Sequence, residues 1–238
     1  MKIIVTGPFH VGKSSFVQKA TEMFGKGNPA MSLDKNETTV ALDLGILQIK
    51  GLKIFLFGTP GHLRFHSVRK ILSYGSDGMI FLIDPTSDKS ITDVQKVWDE
   101  LTNYLPPDIP IVIAINKQDL PEKERKSITE LKKYFKFMNN HPIFPTSAKT
   151  GQNLEKTMIS IVISVIDRIK DTLKVLFEFQ GEVQGIQKSA FKLNKSIYET
   201  TKYLRWLERR NLADVDWRLS IFWLCKGIDK ILNKEQSK

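Results

Sequence analysis

The chain has 238 residues, 41% hydrophobic and 26% charged, a balance that builds folded domains and excludes a disordered chain. Its length exceeds one domain of average size, so a main domain with an appendage is expected. The formal net charge of +10 raises nucleic acid and anionic membranes as partners. Yet Lys and Arg are scattered among Asp and Glu, with no basic run interleaved with aromatics, so no nucleic acid is expected.

Lys2-Ile3-Ile4-Val5-Thr6 reads as a short buried strand, and Gly7-Pro8-Phe9-His10-Val11-Gly12-Lys13-Ser14-Ser15 follows it directly. The second stretch fits G-x-x-x-x-G-K-[ST], a loop whose glycines let successive backbone N–H groups turn inward onto a polyphosphate. Lys13 adds a point charge for the terminal phosphates, and the Ser14 hydroxyl is a ligand for Mg²⁺. From Ser15 the pattern continues as a helix to Met23, whose positive end strengthens the anion site.

Residues 24–36 are polar and read as a loop. Residues 37–49 and 52–57 read as two strands joined at Lys50-Gly51, hence an antiparallel hairpin. Then come Gly58-Thr59-Pro60-Gly61-His62-Leu63-Arg64-Phe65, a basic helix, an apolar run over 78–84, a helix over 93–104 and a strand over 109–115. Asn116-Lys117-Gln118-Asp119 leads to a charged helical stretch over 122–137. Residues 142–149 end in Ser147-Ala148-Lys149, and a helix starts near Asn153. Apolar strands alternating with amphipathic helices predict an α/β fold, a mostly parallel sheet with one antiparallel edge strand. Every motif falls just after a strand, where ligands bind in such sheets.

Residues 7–14, Thr39, Gly61, residues 116–119 and residues 147–149 resemble, in order and separation, the guanine-nucleotide motifs of the Ras-superfamily small GTPases. The resemblance covers residues 1–168 and implies the P-loop GTPase fold, with GTP/GDP and Mg²⁺ as ligands. It implies nucleotide contacts from Gly7, Phe9, His10, Val11, Gly12, Lys13, Ser14 and Ser15 in the loop, and from Thr39 and Gly61 at the γ-phosphate. Asn116, Lys117, Asp119, Leu120, Ser147, Ala148 and Lys149 are implied around the base. A carboxylate at Asp119 accepts hydrogen bonds that guanine donates and adenine cannot, so the wrong base leaves polar groups unpaired. Thr39 is preferred to its neighbour Thr38 as the residue that meets Mg²⁺ and the γ-phosphate. The reason is that Thr39-Val40-Ala41-Leu42-Asp43 matches the relatives' Thr-Ile-Gly-x-Asp. Release of both segments on loss of that phosphate is the expected switch.

Three departures stand out. Gly58-Thr59-Pro60-Gly61 replaces the usual Asp-x-x-Gly, a form similar to the prokaryotic MglA-like GTPases and related Arf-like forms. Asp43, on the neighbouring strand, is the candidate for the missing carboxylate behind Mg²⁺; the alternative is an ordinary edge-strand acid. His62 stands where most relatives carry the water-positioning glutamine, and Pro60-Gly61-His62 is similar to translational GTPases. Lys13, Gly61 and His62 are therefore the candidates for serving the transition state, because phosphoryl transfer needs positioning more than covalent chemistry. Phe9 fills a loop position that is usually small, so an inserted arginine is crowded and intrinsic hydrolysis is expected to be slow. His10 and His66 read as bystanders to the chemistry, and Arg64 and Arg69 as part of a solvated basic helix.

Beyond residue 168 the resemblance stops. The run of residues 159–166, the longest apolar stretch, ends at Asp167-Arg168, too short to cross a bilayer. Apolar positions then step by three and four from Met158 to Leu207, the spacing of a coiled-coil seam, although Gly181 and Gly185 weaken a single rod. Asn211 is expected to break the helix. Asp214 is expected to cap a last one, carrying Trp217, Ile221, Leu224, Ile228 and Ile231 on one face. Residues 169–238 thus read as a helical extension, either an intramolecular hairpin or bundle, or a module for homodimers and effectors.

Single Cys225 excludes an intramolecular disulfide and suits a reducing, cytoplasmic setting. Met1-Lys2 runs straight into a strand and the chain ends Glu-Gln-Ser-Lys, so neither a cleavable signal nor lipidation is expected. Peripheral contact with a membrane is left open. The expected function is a GTP-binding switch that hydrolyses slowly and meets regulatory or effector proteins, a small roadblock-type partner among them. The rival is a non-hydrolysing, GTP-dependent scaffold acting through the C-terminal helices.

Overall fold

The computed structural model describes residues 1–26, 31–32, 42–86, 88–226 and 228. The chain divides into two compact units. One comprises Lys2–Leu47 and Ile54–Val162; the other gathers Met1, Gln48–Lys53 and Ile163–Lys238. In chain order the elements up to residue 167 are β1 (Lys2–Thr6), α1 (Lys13–Phe24), β2 (Met31–Ser32), β3 (Asp43–Ile49), β4 (Leu52–Gly58) and α2 (His66–Ser73). They continue with β5 (Gly78–Ile83), α3 (Asp88–Thr102), β6 (Ile111–Ile115), α4 (Ile128–Tyr134), β7 (Ile143–Pro145) and α5 (Leu154–Asp167).

The strands form one sheet in the order β2-β3-β4-β1-β5-β6-β7. β4, β1, β5, β6 and β7 run parallel, with Ile4 opposite both Phe57 and Met79, Phe81 opposite Ile113 and Ala114 opposite Phe144. The Lys50-Gly51 turn makes β3 the antiparallel strand, and the two-residue β2 lies outside it in the region expected to be loop. Every residue of β5 and β6 is buried, the pattern of central parallel strands covered on both faces. On one face Phe81 meets Trp98 of α3 edge-on at 5.2 Å between ring centroids, and Trp98 stacks on Phe137 at 3.8 Å. On the other, a side chain at Gly78 would press on Ile161 of α5, 3.0 Å away, so glycine permits that helix its close approach.

The charged stretch over 122–137 is not one helix. It divides into a 3₁₀ turn (Glu122–Glu124), α4 and a second 3₁₀ turn (Lys136–Asn140). Ser127 fixes where α4 starts: its Oγ accepts from the Glu130 N–H at 3.2 Å, and the Glu130 carboxylate accepts from the Ser127 N–H at 2.7 Å. The strand expected over 37–49 is seen as β3 from Asp43; residues 37–41, with Thr38 and Thr39, lie outside the described residues.

The second unit continues with α6 (Lys170–Phe179), α7 (Gly185–Lys192) and α8 (Ile197–Glu208), then β8 (Ala213–Asp216) and β9 (Ile221–Leu224). The three-four stepping that predicts one seam is thus divided among four helices. Gly181, Gln184 and Asn194 take left-handed conformations, which interrupt the helix, and Ser196 starts α8 with a capping box to Glu199. Two seam positions, Val183 and Ile197, fall in or beside these breaks and are exposed.

A second correction concerns the expected last helix: Asp214 and Ile221–Leu224 belong to an antiparallel hairpin, with Val215 opposite Phe222. Aromatic and β-branched residues favour strand there. The turn is built by the Asp216 carboxylate accepting from the Arg218 and Leu219 N–H groups, with Ser220 left-handed. Phe222 is fully buried and its carbonyl accepts from Gly181 N–H at 2.8 Å, which ties β9 to the end of α6. Met1, Ile49 and Leu52 of the same unit are also buried, and the Met1 ammonium donates to the Lys53 and Arg210 carbonyls. Among the described residues, no helix is long and apolar enough to cross a membrane.

Candidate functional site

The carboxyl ends of β1, β4, β5, β6 and β7 present their following loops together. Residue 7 leaves β1 at φ 141°, and a Cβ there would overlap the Leu82 carbonyl, so only glycine lets the loop turn beside β5. Gly12 opens α1 at φ 93°, and its missing side chain leaves room for the Asn116 amide, which a Cβ would approach to 2.5 Å. His10, at φ 61°, and Phe9 are exposed on the loop, with rings 3.8 Å apart. Ser14 and Ser15, exposed in the first turn of α1, line a cleft of about 640 Å³ with them.

Lys13 is buried at the base of that cleft, and its Nζ donates to the Pro8 carbonyl at 2.6 Å. Burial, and then the nearby Arg69 guanidinium, lower its pKa from 10.5 to about 7 against the opposing pull of Asp43. Among the described residues this ammonium has one carbonyl acceptor, and it faces a space where anionic oxygens would restore its charge.

The segment after β4 forms the opposite wall. Thr59 is buried, its Oγ1 donating to Thr6 Oγ1 at 2.8 Å and its N–H to the Val5 carbonyl at 2.9 Å. Gly61 lies against the phosphate loop: a Cβ there would overlap Lys13 Nζ and sit 2.7 Å from the Pro8 carbonyl. His62 is exposed at the cleft, edge-on to Phe9 with 5.8 Å between centroids, and its Nδ1 accepts from Arg64 N–H at 3.3 Å. That acceptor role leaves the proton on Nε2. Asp43 of β3 is buried and also lines the cleft. Its Oδ2 lies 2.9 Å from where a Cβ of Gly58 would be, so this carboxylate fills the space a side chain at 58 would use.

The loops after β6 and β7 are cross-braced. Asn116 is buried; its Nδ2 donates to the Val11 carbonyl at 2.8 Å and its Oδ1 accepts from Ala148 N–H at 2.9 Å. One side chain thereby joins the phosphate loop, the 116–119 segment and the 147–149 segment. Ser147 donates to Asp119 Oδ1 at 2.6 Å, and this hydrogen bond, first among the causes, lowers the pKa of that exposed carboxyl. Lys117, left-handed at φ 60°, reaches the cleft and pairs with Asp84 Oδ2 at 2.6 Å. Leu120 is half-buried, its N–H donating to the Lys117 carbonyl, and Lys149 is exposed beside Asp119.

Two features escape sequence reasoning. Asp84, which also accepts from the Thr86 N–H and hydroxyl, holds Lys117 in place. Its signal was its position as the acid closing the apolar strand over 78–84. Arg69, expected to be solvated, is instead wholly buried and corrects that reading. Its partner Glu100 lies 31 residues away, and no local pattern marks the pair.

Comparison with known proteins agrees with this arrangement. The Ras family description matches residues 2–167. The chain is 24% identical over 219 residues to GTP-binding protein ypt4 of Schizosaccharomyces pombe, covering 90% of this chain and 91% of that one. It is 28% identical over 193 residues to bovine Ras-related protein Rab-27B, covering 73% and 83%. A stretch of 161 residues is 31% identical to the mitochondrial translation factor GUF1 homolog of Caenorhabditis briggsae, covering 63% of this chain and 24% of that one. With its phosphate loop, its cleft and its braced loops in family order over most of its length, the chain belongs to the Ras family.

Proposed function

We propose that this protein is a GTP-binding switch that hydrolyses GTP slowly and reports the γ-phosphate to partner proteins. The observation that carries the proposal is the Asn116 brace, which holds a phosphate-binding loop and a guanine-type loop pair in one fixed relation. In this reading the loop amides and Lys13 bind the phosphates, and Asp119, aimed by Ser147, takes the guanine edge. The Lys117 stem lies over the base, held by Asp84. Gly61 offers its N–H to the γ-phosphate. His62 orients the attacking water through Nε2, and its exposed ring beside Phe9 supports slow intrinsic turnover.

Mg²⁺ fits the oxygen donors present, since the Ser14 hydroxyl and the Asp43 carboxylate line one cleft. When bound, the metal would neutralise charge building on the phosphate oxygens. Ser14 would hold it directly with Thr39, and Asp43 from behind through water. The place Asp43 takes beside Gly58 supports that role and the likeness to MglA-like and Arf-like forms. Regulatory and effector proteins are the proposed partners, including a small roadblock-type protein, in the cytoplasm. Residues 169–238 are proposed as an appended module able to meet effectors or a second copy.

Calorimetric titration with GTP, GDP and ATP tests the nucleotide reading: micromolar or tighter binding of both guanine nucleotides, and at least a hundredfold weaker ATP, is expected. Equal binding of ATP rejects it. Single-turnover phosphate release should exceed the uncatalysed background; none over hours favours the scaffold instead.

A further inference from the structure

Among the described residues, Arg69 is the largest side chain that is fully buried, and a guanidinium taken from water is strongly penalised unless its donors are met. Here all five are met. Nε and one terminal nitrogen form a two-pronged pair with the Glu100 carboxylate at 2.9 and 2.5 Å. The remaining donors reach three backbone carbonyls: Pro60 at 3.1 Å, His62 at 2.8 Å and Leu63 at 3.2 Å. These carbonyls bracket Gly61 and His62. The planar fork suits one carboxylate and several carbonyls at once, which a lysine cannot reproduce.

We infer that Arg69 is a positioning residue that pins the Pro60–Leu63 backbone, with Glu100 of α3 as its anchor, so that Gly61 and His62 are held at the cleft. The inference rests on the proposed nucleotide reading for its catalytic consequence, but not for the pin itself. The pin also carries a charge effect, because the guanidinium depresses the Lys13 pKa while Asp43 raises it. Glu100 keeps part of its surface in solvent, so α3 can transmit a change to the site through this one pair.

Full-length Glu100→Gln tests it, because the amide keeps the size and one acceptor but removes the anchoring charge. Hydrogen exchange of a peptide covering residues 60–65, without nucleotide, is expected to quicken at least tenfold. Single-turnover GTP hydrolysis is expected to fall at least tenfold, while GDP affinity stays within threefold. Arg69→Lys, which keeps the charge without the fork, is expected to behave like Glu100→Gln. Unchanged exchange in both variants overturns the pin whether or not GTP is hydrolysed. Quickened exchange with unchanged hydrolysis overturns its positioning role, and full activity in Arg69→Lys reduces it to a charge. Quickened exchange in a protein whose wild type binds no guanine nucleotide keeps the pin and rejects the proposed function. Should Arg69→Lys fail to fold, Glu100→Gln decides alone.

Discussion

Lys13 shows how one residue's burial becomes a measurable property. Its folded pKa is lowered to about 7, whereas an unfolded lysine titrates near 10.5. Between those values the unfolded chain binds more protons, so this group makes the nucleotide-free protein more stable as pH rises from about 7 toward 10. Lys13→Met should remove that rise, seen as a flatter difference between urea midpoints at pH 7 and pH 9.5; the same slope in both proteins would refute the burial argument. Asn116 works by bonding instead. Replacing it with Ala leaves the Val11 carbonyl and the Ala148 N–H unpaired and buried, at a cost of about 1–3 kcal/mol each. Asn116→Ala should therefore lower the denaturation midpoint and weaken guanine nucleotide binding at least tenfold by calorimetry, and unchanged binding would deny the brace its role.

At the scale of elements, aromatic packing joins α3 to the central strands. Trp98 lies edge-on to Phe81 and flat on Phe137, so it links α3 to β5 and to the turn after α4. Trp98→Ala is expected to cost about 3–5 kcal/mol in denaturant unfolding followed by circular dichroism. A loss below about 1 kcal/mol would show that the stack contributes little. The sheet elements were legible because buried strands such as 78–84 are continuous apolar runs and each motif directly follows one. The segment 213–224 was not, since Trp217, Ile221 and Leu224 also fit a helical face. The choice fell to the Asp216 turn and to Phe222, whose carbonyl meets Gly181. Periodicity cannot register a partner that lies forty residues earlier, roughly, in the chain.

Across the whole molecule, the second compact unit includes Met1 and residues Gln48–Lys53 along with everything after Val162. Met1 and Leu52 are wholly buried and Ile49 is 5% exposed within it. A chain ending at residue 167 would present these apolar side chains to water, so it is expected to aggregate or melt several degrees lower than the full chain. Equal solubility and melting by light scattering and calorimetry would show that residues 168–238 are dispensable for folding. The net charge of +10, spread over both units, gives no reason to assign either one to nucleic acid.

What the sequence determined by itself was the phosphate loop, the succession of strands along the chain and the polar segments that follow them. Those features depend on local rules: glycines that permit left-handed turns, apolar runs that must be buried, and short polar motifs at strand ends. Tertiary structure alone decided that Arg69 is an internal pin, that Asp84 holds Lys117, and that Asp43 fills the space beside Gly58. Each of these is a charge whose meaning depends on a partner brought near by folding. A charged side chain reads as solvated until the fold supplies the carboxylate or carbonyl that offsets its burial.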